Sequence, residues 1–319
     1  THRGSGRTWD MISRSTLIGA LVVVELAIVG MAARALGAGV PAGPMVGGTG
    51  WGGHAVSQTD QSLPTGPAPV VTIDVHDADV AIQAAPSMSV RVSEAVHRWG
   101  WGGGTTSPSV KLSRTADGVR ISAADADDGN VHFMMGGFNH DVTVFVPATA
   151  QVTVVSAGKV AATGMRAPFV AHVDDGDITL ADQRSDVDVS TNDGDVELTD
   201  VEGGTVAATT NDGHLVLSRV SAETLRAHSD DGRVTATDLR AVDGTVTTND
   251  GHVTIGFAAG SDTVVNLHTD DGGISINGTT ARDDEVGNSS HTVRIGSGRG
   301  HFDVSSGSGD ITINQGATV

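Results

Sequence analysis

An aspartate precedes a glycine in each of six similar segments, and a column of such carboxylates could bind a divalent cation. The aspartates are Asp175, Asp193, Asp212, Asp231, Asp250 and Asp271. In-register strands lie about 4.8 Å apart, and two unit charges at about that distance repel by about 0.9 kcal/mol in water. Either corner N–H groups and solvent relieve this repulsion or Ca²⁺ sits between the carboxylates. The spacing favours a structural turn, because it lacks the short glycine-rich pattern of calcium-binding β-rolls.

The segments that carry these aspartates form a repeat. Its glycines are Gly176, Gly194, Gly213, Gly232, Gly251 and Gly272, at steps of 18, 19, 19, 19 and 21 residues. Such a period is typical of units that bury their apolar faces by stacking on one another. In each unit, the positions three before, two after and four after the glycine alternate with polar positions, which predicts half-buried strands with those three columns inside. The Asx-Asp-Gly sequence predicts a corner, because glycine tolerates a positive φ and asparagine or aspartate can bond its own backbone.

The fold class predicted from this pattern is all-β, a single-stacked β-solenoid with coils of about 19 residues. A meander of hairpins would show the same alternation. It would also need a cover for its apolar face, and no segment after residue 36 is suited to form a covering helix. A single N-terminal transmembrane helix is predicted to precede the solenoid.

Composition excludes several functions. The net charge is −19, and so acidic a chain repels nucleic acid and anionic lipid. The absence of cysteine excludes disulfides, thiolate metal sites and thiol nucleophiles. An extracytoplasmic location is compatible with this composition. No cofactor is predicted.

The chain is predicted to divide into five parts. Residues 1–15 are a basic cytoplasmic segment, 16–37 a membrane anchor, 38–69 a Gly/Pro-rich flexible linker, 70–155 an irregular β cap and 156–319 the regular repeats. An apolar run of about 20 residues can span a bilayer, and the basic residues before it predict an N-terminus inside and a body outside. The alternative is a cleaved signal and a secreted body.

Three histidines suggest a metal site but are spaced too widely. His172, His228 and His268 share the position four before the glycine. His228 and His268 are predicted to lie two coils, about 9.6 Å, apart, whereas a shared ion binds at about 2.1 Å. His214 and His252, which stand beside the aspartate ladder, fail in the same way. With Arg233 they are predicted to supply donors that compensate its carboxylates.

Catalysis is not predicted. The sequence has no Ser-His-Asp order, phosphate loop or HExxH motif, and no acid stands out from its column as a polysaccharide-cleaving enzyme would require. The alternative function, from another class, is that of a carbohydrate-active β-helix enzyme. A third hypothesis is a structural solenoid stabilised by calcium.

Aromatic and methionine side chains concentrate in two loops of the cap, residues 97–109 and 125–140. They are Trp99, Trp101, Phe133, Met134, Met135 and Phe138. In a chain with six phenylalanines and no tyrosine, this concentration predicts a partner-binding surface. Alternatively, these side chains cover the open first coil.

The repeat becomes less regular after Gly272. Residues 278–290 read as an inserted loop, and a weaker repeat returns at Gly309, 37 residues beyond Gly272. The sequence predicts that the chain ends with an uncapped strand edge at which copies could self-associate.

The sequence FVPATAQVTVVSAGKVAATG (residues 145–164), followed by units such as TNDGDVEL, resembles the bacterial putative-adhesin family of β-strand-repeat domains, a domain family of unknown function. The resemblance covers residues 70–314 and implies a membrane-tethered or secreted β-solenoid, similar in some members to envelope-stress sensors. It supplies no catalytic residues. The predicted function is therefore a non-enzymatic, membrane-anchored envelope protein whose extracytoplasmic solenoid is an adhesin-like or sensing module for a protein or cell-surface glycan.

Overall fold

The computed structural model describes residues 54–76, 78–101, 110–123, 135–156, 158–277, 279–281 and 289–315. These residues form β-strands and turns without any helix, so the predicted all-β class is confirmed. The predicted anchor at 16–37 lies outside the described residues. In the described part of the chain, no helix has the length and apolar character that crossing a bilayer requires.

The strands differ in length because several of them continue through the second corner of a coil. In chain order they are β1 (His54–Pro64), β2 (Val70–Val75), β3 (Ala78–Ala85), β4 (Ser89–Trp101), β5 (Val110–Arg114), β6 (Gly118–Ala123), β7 (Met135–Pro147), β8 (Gln151–Ser156), β9 (Val160–Thr163), β10 (Phe169–Val173), β11 (Ile178–Gln183), β12 (Val187–Thr191), β13 (Val196–Thr210), β14 (Leu215–Ser229), β15 (Val234–Thr248), β16 (Val253–Phe257), β17 (Thr263–Thr269), β18 (Ile274–Ile276), β19 (Thr279–Ala281), β20 (Ser289–Ile295), β21 (Gly300–Ser306) and β22 (Ile311–Gln315).

The strands stack into two ladders, and each turn of the chain, here called a rung, adds one strand to each. The first ladder runs β5, β6, β2, β8, β10, β12, the second halves of β13, β14 and β15, then β21, β17 and β20. The second runs β1, β4, β7, β3, β9, β11, the first halves of β13, β14 and β15, then β16, β22, β18 and β19. Val196 pairs with Leu215, which pairs with Val234. Equivalent residues therefore lie over one another, as the repeat predicts.

The predicted interior columns form the core. The residues two after each repeat glycine are all 0 % exposed: Ile178, Val196, Leu215, Val234, Val253 and Ile274. Burying one such aliphatic side chain stabilises a fold by about 1.5 to 3 kcal/mol. Within a column, the side chain of each rung stacks on that of the next rung. Small aliphatic residues therefore suffice to fill the narrow interior.

The rung of β21 and β22 lies inside the stack, although it comes last in the described sequence. β21 pairs with β15 on one side and β17 on the other, and β22 pairs with β16 and β18. The prediction of an uncapped terminal strand edge is therefore wrong. The rung of β17 and β18 is the last parallel rung, and antiparallel β20 and β19 cover it at the ends of the two ladders. Every rung offers the same backbone ladder, so periodicity does not reveal this order.

At the N-terminal end, too, the order of the rungs differs from the order of the strands in the chain. β2 and β3 form an interior rung between that of β6 and β7 and that of β8 and β9, so residues 70–155 are not only a cap. β1 occupies residues 54–64, where the sequence predicts a flexible linker. It pairs with β4, and the Gln61 amide bridges to β5 through the carbonyl of Val110 at 2.7 Å and the N–H of Leu112 at 3.0 Å. Such backbone pairing needs no apolar alternation, which is why the pattern missed it.

Two connections pass each other at the C-terminal end. Residues 258–262 lead from β16 to β17 past the inserted rung, and residues 296–299 lead from β20 back past β17 to β21. The Asp262 carboxylate joins them, since it accepts hydrogen bonds from the Ser297 hydroxyl at 2.8 Å and the Gly298 N–H at 2.5 Å and pairs with Arg299 at 2.5 Å. The bonds from Ser297 and then Arg299 lower the pKa of Asp262 well below its usual range. Crossing connections are rare, and this contact fixes the crossing.

Candidate functional site

Buried hydroxyl groups line the inside of the repeated corners. They stand three residues before the corner glycines from Gly194 onward and are at most 3 % exposed: Thr191, Thr210, Ser229, Thr248, Thr269 and Ser306. The Thr210 hydroxyl donates to the carbonyl of Gly194 in the neighbouring rung at 2.8 Å. It also accepts the N–H of Gly213 in its own corner at 3.1 Å. Period-two alternation predicts the burial of this hydroxyl column but not its hydrogen bonds.

The corner glycines allow adjacent rungs to approach closely. A Cβ on Gly213 would overlap the carbonyl of Gly194, and a Cβ on Gly232 would overlap the carbonyl of Gly213. None of the corner glycines in the described repeats has a left-handed φ, so the corners do not use the positive φ that glycine tolerates. Left-handed residues instead mark the second corner of the coil, with φ of 50 to 55°: Asp182, Asp200, Arg219, Asp238 and Asn277.

The six corner aspartates are exposed on one edge of the stack. The N–H groups of Asp193, Asp212, Asp231, Asp250 and Asp271 donate to carbonyls of the neighbouring rung, as when that of Asp212 donates to Asn192 at 3.0 Å. The ladder is interrupted because Ser308 lies between Asp250 and Asp271. Among the described residues, no group of three or more histidine, aspartate or glutamate side chains is placed to hold a metal ion.

The residue after a corner glycine often supplies an acceptor to the next rung. The Asp195 carboxylate accepts the N–H of His214 at 2.7 Å, and His214 Nδ1 accepts the N–H of Arg233 at 3.0 Å. His252 Nδ1 likewise accepts the N–H of Asp310 at 2.9 Å. In this geometry the Nδ1 atoms accept from the backbone, so they do not supply the side-chain donors to carboxylates that the sequence predicts.

Several ion pairs join adjacent rungs on the surface, and two of them shift the pKa of their carboxylates. Lys159 Nζ lies 2.5 Å from Asp177 Oδ2, and this hydrogen bond raises the pKa of Lys159 and lowers that of Asp177. Arg219 binds both oxygens of Asp200, at 2.6 and 2.8 Å, which lowers the pKa of Asp200. These groups are about half exposed, so each pair contributes about 0 to 1 kcal/mol.

The histidine column of the first ladder pairs with hydroxyls of adjacent strands. The pairs are His172–Ser190 at 2.7 Å, His228–Thr247 at 2.7 Å and His268–Ser290 at 2.9 Å. His268 Nε2 also lies 3.2 Å from Asp270, a Ser-His-Asp arrangement that chain order does not predict. His228 makes the same contact with Asp230, and His268 and Asp270 are 46 % and 64 % exposed. Acyl transfer needs oriented oxyanion donors in a site that excludes water, so we interpret the arrangement as a repeated surface pairing.

These histidines do not converge on one point. The strands of Thr247 and Ser305 lie between those of His228 and His268. The separation is therefore three steps, about 14 Å, instead of the two steps predicted. The inserted rung accounts for the difference.

Four of the six predicted partner-binding residues lie on a ribbon of two antiparallel strands. Trp99 and Trp101 belong to β4, and Met135 and Phe138 to β7; Phe133 and Met134 lie outside the described residues. Trp101 pairs with Met135 and Arg98 with Phe138. The pairing of β1 with β4 reaches only Arg98, and that of β3 with β7 begins at His140. In the described structure the ribbon therefore extends past its neighbours at the corner edge.

Family comparison agrees with this architecture. The family model described as Toastrack DUF4097 matches residues 70–314. The chain belongs to the Toastrack DUF4097 family. The predicted family resemblance is thereby confirmed, over the same residues. No curated protein matches this Toastrack chain.

Several solved structures are similar to this chain at low sequence identity. A putative adhesin from Bacteroides fragilis is 13 % identical with a TM-score of 0.41, covering 82 % of this chain and 98 % of its own. A putative adhesin from Parabacteroides merdae is 12 % identical with a TM-score of 0.40 and coverages of 82 % and 97 %. A putative lipid binding protein from Parabacteroides distasonis is 7 % identical with a TM-score of 0.41 and coverages of 82 % and 98 %.

The Toastrack domain also buries a carboxylate that the sequence analysis passes over. Glu94 on β4 is 2 % exposed; it accepts the N–H of Val110 at 3.3 Å and lies 3.1 Å from His140 Nδ1. The alternation along β4 could have predicted this burial, because Glu94 follows Val90 and Val92 at every second, inward-facing position. A buried carboxylate requires such partners, so this group ties β4, β5 and β7 together beneath the ribbon.

Proposed function

We propose that this Toastrack domain is a non-enzymatic, adhesin-like module of the cell envelope that binds its partner through the β4–β7 ribbon. The projection of this ribbon beyond β1 and β3 carries the proposal. Its strands bring Trp99 and Trp101 opposite Gly137 and Met135. Tryptophan and methionine are enriched among residues that anchor interfaces, and tryptophan among those that dominate binding energy.

A binding role suits the chemistry of the remaining surface better than catalysis does. The corner aspartates are distributed along an open edge, about one per rung, in nearly equivalent surroundings. Enzymes that cleave glycosidic bonds instead differentiate two carboxylates on either side of one substrate bond. A regular charged edge can favour a cationic surface and oppose an anionic one.

The proposal places the domain outside the membrane, with residues 16–37 as its anchor. The support is the apolar run itself and the basic residues that precede it. The test is the mass of the protein recovered from the envelope. A chain that retains residues 16–37 is anchored, whereas a fragment that begins after residue 37 has been cleaved and contradicts the anchor.

Binding is tested by the retention of the full chain, in detergent, on immobilised bacterial envelope fragments. Replacing Trp99 and Trp101 together by alanine is expected to weaken retention by about tenfold or more, because a lost hot spot costs about 2 kcal/mol or more. The matched control is Met88→Ala, since Met88 is 69 % exposed and lies outside the ribbon. Retention that both variants reduce equally, or that the tryptophan variant leaves unchanged, contradicts binding through the ribbon.

A further inference from the structure

The six corners of the repeat each contain an Asp-Gly bond that can rearrange. The glycine nitrogen attacks the aspartate Cγ, a C–O bond of the carboxyl group breaks, and water leaves as the nitrogen loses its proton. The resulting succinimide is reopened by water at either carbonyl, which gives aspartate or the β-linked isoaspartate. The sequence of steps involves no oxidation or reduction, and glycine favours it because no side chain blocks the nitrogen.

The hydroxyl column engages the attacking nitrogen at four of these corners. The N–H groups of Gly213, Gly232, Gly251 and Gly272 donate to the hydroxyls of their own rungs at 3.1, 2.9, 3.0 and 3.0 Å. Each hydroxyl is buried and also donates to a glycine carbonyl of the adjacent rung. Turning the glycine nitrogen toward the aspartate side chain would break a buried hydrogen bond, which slows the attack.

The corner of Asp175 and Gly176 lacks this hydroxyl. Val173 occupies the position three before the glycine and is 4 % exposed, so it fills the interior without offering an acceptor. Asp175 itself is exposed to water. We infer that Asp175 converts to isoaspartate more readily than Asp212, Asp231, Asp250 and Asp271, and that the hydroxyl column protects those four corners from the same reaction.

Conversion at Asp175 would disturb the stack locally. Isoaspartate places one additional carbon in the main chain, at a corner where even a Cβ on Gly176 would overlap the carbonyl of Gly158. The modified corner joins β10 to β11 and stacks on the corner that joins β8 to β9. The reaction is therefore expected to loosen the junction between the irregular rungs and the regular ones.

The test is peptide mapping for isoaspartate after the folded full chain has been kept for weeks at neutral pH and physiological temperature. Isoaspartate is expected at Asp175 about fivefold faster than at Asp212, the factor that about 1 kcal/mol, the net worth of one hydrogen bond, makes in a rate. Val173→Thr is expected to lower the rate at Asp175 to that at Asp212. Thr210→Val is expected to raise the rate at Asp212 by a similar factor.

Two controls keep the result interpretable. The denatured chain should modify Asp175 and Asp212 at similar rates, because the difference comes from the fold. Val173→Thr adds a hydrogen bond, whereas Thr210→Val removes one and could unfold the chain. The Val173→Thr result therefore remains decisive if Thr210→Val unfolds. Equal rates at the two corners of the folded chain, or no change in Val173→Thr, would overturn the inference.

Discussion

The hydroxyl oxygen of Thr210 lies 2.8 Å from the carbonyl oxygen of Gly194 in the neighbouring rung. This bond connects two rungs on the interior side of a corner whose outer side carries exposed aspartates. Ser229 repeats the bond to Gly213 at 3.0 Å and Thr248 repeats it to Gly232 at 3.2 Å. The corner is thus held together from inside by hydroxyls, which offset the repulsion between the carboxylates outside.

Replacing Thr210 by valine is expected to lower the free energy of unfolding by about 1 to 3 kcal/mol, because the carbonyl of Gly194 and the N–H of Gly213 lose their buried partner. Denaturant titration measures the change. Thr210→Ser is the control, since Ser229 makes the same bonds one rung away. It should cost less than valine, and a serine variant as unstable as the valine variant would argue against the hydroxyl.

Replacing Gly213 by alanine is expected to destabilise the chain by about 1 to 3 kcal/mol or more, because the new Cβ meets the backbone of Gly194 and cannot move aside. The thermal midpoint gives the comparison. Gly66→Ala is the matched control, because nothing lies within 4 Å of a Cβ at Gly66. If the two variants melt alike, close approach of the rungs is not the reason for the corner glycines.

Replacing Asp262 by asparagine is expected to loosen the crossed connections and to alter the response to acid. The folded pKa of Asp262 lies below its unfolded value of about 3.9, so its stabilising contribution is fully present above about pH 4 and is lost as the pH falls through the folded pKa. The variant should be less stable at neutral pH and lose less stability on acidification.

The measurement for this variant is denaturant titration at a series of pH values, with proteolysis reporting on residues 296–299. Asp238→Asn serves as the control, because Asp238 has a left-handed φ that asparagine tolerates. A variant of Asp262 whose stability falls with acid as steeply as that of the parent chain would contradict the assigned role of the carboxylate.

Removing divalent cations is expected to leave the thermal midpoint unchanged. Calcium prefers 6 to 8 oxygen ligands, roughly, whereas the corner aspartates follow one another at about one per rung, with Ser308 interrupting the column before Asp271. Melting with and without a chelator is the measurement, with magnesium and calcium each added back. A midpoint that falls with chelator and returns with calcium would support the calcium-stabilised reading.

Much of the fold follows from the sequence because period-two alternation and a period near 19 residues each correspond to a physical spacing. The burial of Val196, Leu215 and Val234 is predicted correctly for this reason. The position of β21 is not, because a backbone ladder is the same between any two rungs and the choice of neighbour depends on connections such as that held by Asp262.

The candidate site is predictable to a smaller extent. The composition of residues 97–109 and 125–140 singles out the region of the ribbon, but its pairing depends on long-range contacts between β4 and β7 that no local pattern contains. The hydroxyl column is visible in the sequence as a row of threonine and serine. Its role is not visible in the sequence, because it depends on corner glycines of two adjacent rungs lying within hydrogen-bond distance of each hydroxyl.

The inserted rung bears on how the protein would respond to mechanical force. A load applied through the chain beyond Gln315 reaches β22, which is paired on both sides, with β16 and β18. An edge strand can peel away one bond at a time, whereas β22 must slide against two partners at once. Tension at this point would therefore be shared among the surrounding strands before any one of them separates.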